Sequence, residues 1–270
     1  MKTLLAVGCS FTDENFISKL HPEMDCSFRK WPEVLGNILG YNVVNVGRSG
    51  NSNDAIFKSA QDYIVDHKVD MICSLWTQVT RLNIHDMYNV NFAWSFRSHQ
   101  KAIMDGWLKA GDLDSDLPDA VKKHVIFKSS EFSKLLRWKH TALANEHLRN
   151  IYMLDELGKY NNIPVYHMQG VRAYYPFGVA DVSHELDDVA AIKREKLKYL
   201  SAFIKSQYFK ILDKQTNIWG WPFYREIGGK SLGDGPNPRF PIECRISESD
   251  SHPNAKGHKK IASRFMEIIK

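Results

Sequence analysis

The chain has 270 residues, 43% of them hydrophobic and 25% charged, with a formal net charge of +5, so it carries enough apolar material to bury a sizeable core. No apolar run approaches the roughly 18 residues of a membrane-spanning helix, and Gly8 interrupts the short run Leu4 to Val7 before a secretory signal core is complete, so a cytoplasmic protein with no membrane span is expected. The four cysteines, Cys9, Cys26, Cys73 and Cys244, form no C-x-x-C pair, which speaks against a zinc site or a disulfide framework.

Thr3 to Val7 is a short apolar run that reads as a buried strand, and Trp31 to Leu39 reads as a helix with Trp31, Val34, Leu35 and Ile38 on one face. The β-branched stretch Asn42 to Val46 predicts a second strand. Asn53 to His67 carries Ile56, Ala60, Tyr63 and Ile64 at helical spacing behind the capping residues Asn51 to Asn53, and Val69 to Trp76 predicts a third strand. Strands alternating with helices imply an α/β protein: a three-layer α/β/α sandwich with a flavodoxin-like, mostly parallel sheet.

After Arg81 the rhythm breaks. Residues 82 to 135 hold Tyr88, Phe92, Trp94, Phe96 and Trp107 and a polar stretch from Gly111 to Asp116, and read as an irregular or helical insertion after the third strand of a single domain spanning 1–270. A long helix is expected from Ser133 to Tyr160, a strand from Ile163 to Met168 and a helix from Val189 to Leu212. Residues 214–247 read as loop, broken by glycines and prolines, and a helix from Ala255 to Ile269 ends the chain. The basic clusters Lys193 to Lys198 and Lys256 to Lys260 fall in these helices and are expected on solvated faces, so no nucleic-acid partner is predicted.

Open α/β sheets carry their sites at the carboxyl ends of the strands, and three polar segments fall there. Ser10 follows the first strand, Asn45 to Asn53 the second, and Thr77-Gln78-Val79-Thr80-Arg81 the third. Near the other end lies Asp250-Ser251-His252-Pro253. A serine hydroxyl needs a base to take its proton, and a histidine held by a carboxylate is such a base. An oxyanion needs preorganised donors, for which the N–H groups of Ser10 and Gly50 and the side chain of Gln78 are candidates. Ser10 as a plain turn residue, His252 as a plain turn residue before a helix, and Gly47 and Gly50 as mere positive-φ positions are the structural readings beside these. His258 lies within the last helix, where packing or surface is expected.

This pattern resembles the SGNH, or GDSL-like, hydrolases. Their first block is similar to Gly8-Cys9-Ser10, their second to Asn45-x-Gly47-x-x-Gly50-Asn51-Ser52, and their last to Asp250-Ser251-His252-Pro253-Asn254 with Gly257-His258, about 30 residues in all. The resemblance implies Ser10 as nucleophile, His252 as general base and Asp250 as its orienting acid, with Ser10 and Gly50 in the oxyanion hole. The chain departs from the family in two places. Ser249, not an acid, stands three residues before His252, which leaves Asp250 or Glu248 as the acid. Thr77-Gln78 replaces the third block's asparagine, which leaves Gln78 or Thr77 to complete the hole.

Asn51 and Arg81 are candidate substrate-binding side chains, and Arg48 lies nearby; a structural role for the arginines is the alternative. The glycine-rich turn lacks the P-loop and dinucleotide fingerprints, and the histidines share no ligand spacing, so no nucleotide, cofactor or metal is predicted. The segment Trp219-Gly220-Trp221-Pro222-Phe223-Tyr224 walls a cleft or packs the core. Together these readings imply an esterase that cleaves or transfers an acyl group from a small-molecule or glycan ester, with a small-acyl carbohydrate ester favoured. The competing expectation is a binding or structural module that keeps the fold without turnover.

Overall fold

A computed structural model of the chain describes residues 1–79, 81–85, 91–95, 140–170, 189–232 and 240–269. Its strands are β1 (Thr3–Gly8), β2 (Asn42–Asn45), β3 (Met71–Trp76), β4 (Arg81–His85), β5 (Asn91–Ser95), β6 (Val165–Gln169) and β7 (Ile218–Trp219). Its helices are α1 (Trp31–Leu39), α2 (Asn53–Asp66), α3 (His140–Tyr160), α4 (Val189–Lys205), α5 (Gln207–Leu212) and α6 (Ala255–Met266).

Five strands form one parallel sheet in the order β2-β1-β3-β6-β7. This is the flavodoxin-like arrangement expected, since the chain moves outward from β1 to β2 and then returns to β1's other side with β3. The sheet is covered on both faces, which is why its central strands are apolar at successive positions rather than alternately. Leu5 and Val7 of β1 point into a core shared with Ile56 of α2, Leu148 and Ile151 of α3 and Phe203 of α4. Leu4 and Ala6 point to the opposite core, built with Trp31 and Leu35 of α1 and Ile261 and Phe265 of α6.

Local chemistry sets the helix ends. Ser52 caps α2, its hydroxyl accepting from the Ala55 N–H, and Asn254 caps α6 by accepting from the Gly257 N–H. The last cap on α1 comes from far away: His258 Nδ1 accepts the Trp31 N–H at 3.1 Å. His258 is therefore a buried structural group in α6, while Lys256 and Lys259 on the same helix are exposed as expected.

Three expectations need correction. Part of the segment read as irregular or helical is an antiparallel ladder, β4 with β5, in which Leu82 pairs with Trp94 and Ile84 with Phe92. The period-two alternation of apolar residues in both stretches is the physical reason. Residues 96–135 of the expected insertion, and 133–139 of the expected long helix, lie outside the described residues. The helix expected from Val189 to Leu212 is two helices, because Ser206 takes extended backbone angles and its hydroxyl accepts from the Tyr208 N–H, restarting the helix as α5. Within 214–247, read as loop, Ile218 and Trp219 add a fifth strand to β6, with the Asn217 carbonyl accepting from the His167 N–H at 2.9 Å. Trp219, Phe223 and Tyr224 are buried, so these rings pack the core.

Candidate functional site

The sheet order makes the space between the ends of β1 and β3 the point where ligands bind in open α/β folds. After β1 the chain turns at Cys9, whose carbonyl accepts from Thr12 N–H at 2.8 Å and Asp13 N–H at 3.1 Å, and Ser10 sits in that turn. The turn is tied to the one following β2 by hydrogen bonds that involve side chains. Asn45 Nδ2 donates to the Thr12 carbonyl (2.6 Å), Ser49 donates through N and Oγ to Asp13 Oδ2 (2.8 and 2.6 Å), and Asn51 Nδ2 donates to the Gly8 carbonyl (3.2 Å).

Gly8 and Gly47 allow this approach. A Cβ on Gly47 would lie 2.6 Å from both Thr12 Cβ and Cγ2, and Thr12 is fully buried. We expect Gly47→Ala to lower stability by about 1–3 kcal/mol through overpacking; a thermal melt of the variant that matched the native chain would contradict this contact.

The Asp250–His252 segment reaches the same edge from the turn before α6. Arg245 bridges Pro253, and Ile246 N–H donates to the His252 carbonyl at 2.9 Å. His252 Nε2 lies 2.9 Å from Ser10 Oγ, and His252 Nδ1 lies 2.5 Å from Asp250 Oδ1. The His252 N–H also donates to that oxygen, at 3.0 Å. Two residues of spacing thus suffice, because Asp250 folds back over its own turn. Burial would raise the Asp250 pKa, but hydrogen bonds from the His252 ring, from Ser18 and from the His252 N–H outweigh it and hold the carboxyl well below the usual carboxylate range. Glu248 is exposed, so of the two candidate acids it is Asp250 that meets the histidine.

The remaining candidates are distributed as follows. Gly50 sits at φ +86° in the turn closed by Asn51 N–H on the Arg48 carbonyl, a conformation that glycine takes without strain. Among the described residues the N–H groups of Ser10 and Gly50 have no hydrogen-bond partner. Gln78 is half-buried just past β3, whereas Thr77 is fully buried, its hydroxyl out of contact with solvent. Asn51 has committed an amide hydrogen to Gly8. Arg48 is exposed, and the Arg81 side chain lies outside the described residues.

Several contributors carry no sequence signal. Asn53, read as a capping residue within the polar segment after the second strand, accepts from Thr77 N–H (2.8 Å) and donates to the Thr77 carbonyl (3.2 Å) and to His147 (2.9 Å), bracing the end of β3. Gln169 adds a second donor to the Thr77 carbonyl at 2.9 Å. Phe16 stacks on the His252 ring, with centroids 4.2 Å apart, and Phe11 meets it edge-on. All of these lie far from their partners along the chain, beyond the reach of any local pattern. Among the described residues no group of three or more metal-ligating side chains occurs, and no helix is long and apolar enough to cross a membrane.

No protein-family model matches the chain, and no curated protein does. Solved structures do. An acetylxylan esterase from Geobacillus stearothermophilus, in a catalytic mutant, is 14% identical over 99% of this chain and 93% of its own, with a TM-score of 0.46. A GDSL-like lipase from Bacteroides thetaiotaomicron is 12% identical over 98% and 86%, with a TM-score of 0.44. The structure of TesA is 12% identical over 100% and 98%, with a TM-score of 0.46.

Proposed function

We propose that the chain is a serine esterase that cleaves, or transfers to a hydroxyl acceptor, an ester-linked acyl group. The observation that carries this reading is the continuous relay from Ser10 Oγ through His252 to Asp250, with contacts of 2.9 and 2.5 Å. Asp250, held as a carboxylate, accepts a hydrogen bond from Nδ1–H, which keeps the proton on Nδ1 and leaves the Nε2 lone pair facing the serine hydroxyl. Ser10 Oγ attacks the ester carbonyl carbon as its proton passes to Nε2. The oxyanion forms against the N–H groups of Ser10 and Gly50, with the Gln78 amide as the third donor. The tetrahedral intermediate collapses, the C–O bond to the alcohol breaks, and His252 returns the proton to the leaving oxygen. Water or an acceptor hydroxyl then gives its proton to Nε2 and attacks the acyl-serine carbonyl; as the acyl–Oγ bond breaks, His252 passes that proton to Ser10 Oγ and the free serine is restored.

Phe16 and Phe11 crowd the imidazole, which favours a small acyl group, and we assign a small-acyl carbohydrate ester as the substrate class. A fluorophosphonate probe tests the reaction. The native chain is expected to be labelled at Ser10 and Ser10→Ala to stay unlabelled; a correctly folded native chain that resists the probe removes the proposal. In a p-nitrophenyl ester series, acetate is expected to be cleaved faster than octanoate, and the reverse order would sink the small-acyl assignment.

A further inference from the structure

We infer that Ser18 is a positioning residue of the Ser10–His252–Asp250 relay, its hydroxyl holding the second carboxylate oxygen of Asp250 so that the first stays in line with His252. The inference rests on the esterase reading above and adds a member to its machinery.

Ser18 Oγ lies 2.5 Å from Asp250 Oδ2, and both side chains are buried. The direction of this bond follows from the carboxylate, which has no proton to give, so the Ser18 hydroxyl donates. The His21 N–H donates to Ser18 Oγ at 2.9 Å, which takes one lone pair of the hydroxyl and leaves its proton for the carboxylate. The short contact suits an O–H donor on a charged oxygen.

The need for such a donor follows from the spacing around His252. Both of the histidine's bonds to Asp250, from its N–H and from its ring, fall on Oδ1. With only one oxygen engaged, the carboxylate is free to turn about its Cβ–Cγ bond, a torsion with a broad well. Turning would carry Oδ1 out of line with Nδ1. Among the described residues Ser18 is the one side chain that engages Oδ2.

The segment that delivers Ser18 clasps the turn from both sides. Phe16 lies on the His252 ring and His21 Nε2 is 2.7 Å from Ser249 Oγ. Those two contacts fall on the side chains of His252 and Ser249; the Ser18 hydroxyl sets the plane of the acid.

The test compares the native chain with Ser18→Ala and Ser18→Thr by fluorophosphonate labelling rate, melting temperature and the low-field proton resonance of His252 Nδ1–H. We expect Ser18→Ala to be labelled about ten-fold more slowly, with the resonance shifted and broadened, and Ser18→Thr to restore both. A native rate and an unmoved resonance in Ser18→Ala overturn the inference while leaving the esterase reading intact. If the native chain itself resists the probe, the esterase reading fails, and the resonance alone decides for or against Ser18. Should Ser18→Ala not fold, Ser18→Cys, which keeps the volume with a weak donor, takes its place under the same two outcomes.

Discussion

Asp250→Asn is expected to lower kcat/KM on an activated ester by about a thousand-fold while leaving the fold intact. The asparagine keeps an oxygen for the Nδ1–H of His252, and its amide can donate to Ser18 Oγ, whose hydroxyl is free to rotate, so the tautomer is preserved. What is lost is the negative charge beside the imidazolium that forms as Ser10 attacks. Opposite charges at about 4 Å interact by roughly 4 kcal/mol at an effective dielectric of about 20, and each factor of ten in rate is about 1.4 kcal/mol. The native 2.5 Å contact, with the acid buried, argues against a smaller effect. Glu248→Gln, on an exposed neighbour, is expected to retain the native rate. A steady-state assay with p-nitrophenyl acetate decides: an Asp250→Asn variant keeping more than about a tenth of the activity, with Glu248→Gln impaired, would give the acid's role to Glu248.

Much of the architecture was legible because it rests on patterns the chain repeats locally. β1 and β3 are apolar runs of strand length, and α1 and α2 show a 3.6-residue period with capping residues ahead of α2. Those elements alone bring Ser10, Gly50 and Gln78 to one edge of the sheet. β7 was not legible: two residues carry no period, and they are a strand only because β6 offers an unpaired edge. The β4–β5 ladder did have a signal, the alternation through Leu82 and Ile84 and through Phe92 and Trp94, but the density of aromatics there suggested irregular packing instead. The relay partners that act through space, Ser18 and Phe16, belong to a stretch with no periodicity, and their contacts span more than 200 positions. Asn53 shows a different limit. A polar residue at a helix start satisfies the capping pattern completely, and that reading gave no hint that its side chain would brace Thr77.

Acid is expected to unfold the chain between about pH 5 and 3.5, well above the range set by carboxylates alone, because of its buried imidazoles. Burial lowers the pKa of His147 to about 3, against a weaker upward pull from Gln169; burial with the charges of Lys30 and His252 does the same to His258, also to about 3. His167 is lowered as well, by burial first, although Asp155 pulls it back. Unfolded imidazoles take up protons as pH falls below about 6.5, whereas the two buried ones remain neutral until about pH 3. The unfolded state binds more protons throughout that window, so stability is full above it and declines as pH falls. Each such proton is worth about 1.4 kcal/mol per pH unit, and two or three acting together remove roughly 3–4 kcal/mol per unit, against a typical total of about 5–15 kcal/mol. Asp250 and Asp155, both held below the usual carboxylate range, act in the same direction at lower pH, where unfolded carboxylates begin to protonate. Urea titrations at pH 7, 6, 5 and 4.5 measure the slope. His258→Asn, whose side-chain oxygen can still accept the Trp31 N–H, is expected to reduce that slope by about one proton. A stability that stays level from pH 7 to 4.5 would mean that these imidazoles are protonated within the fold.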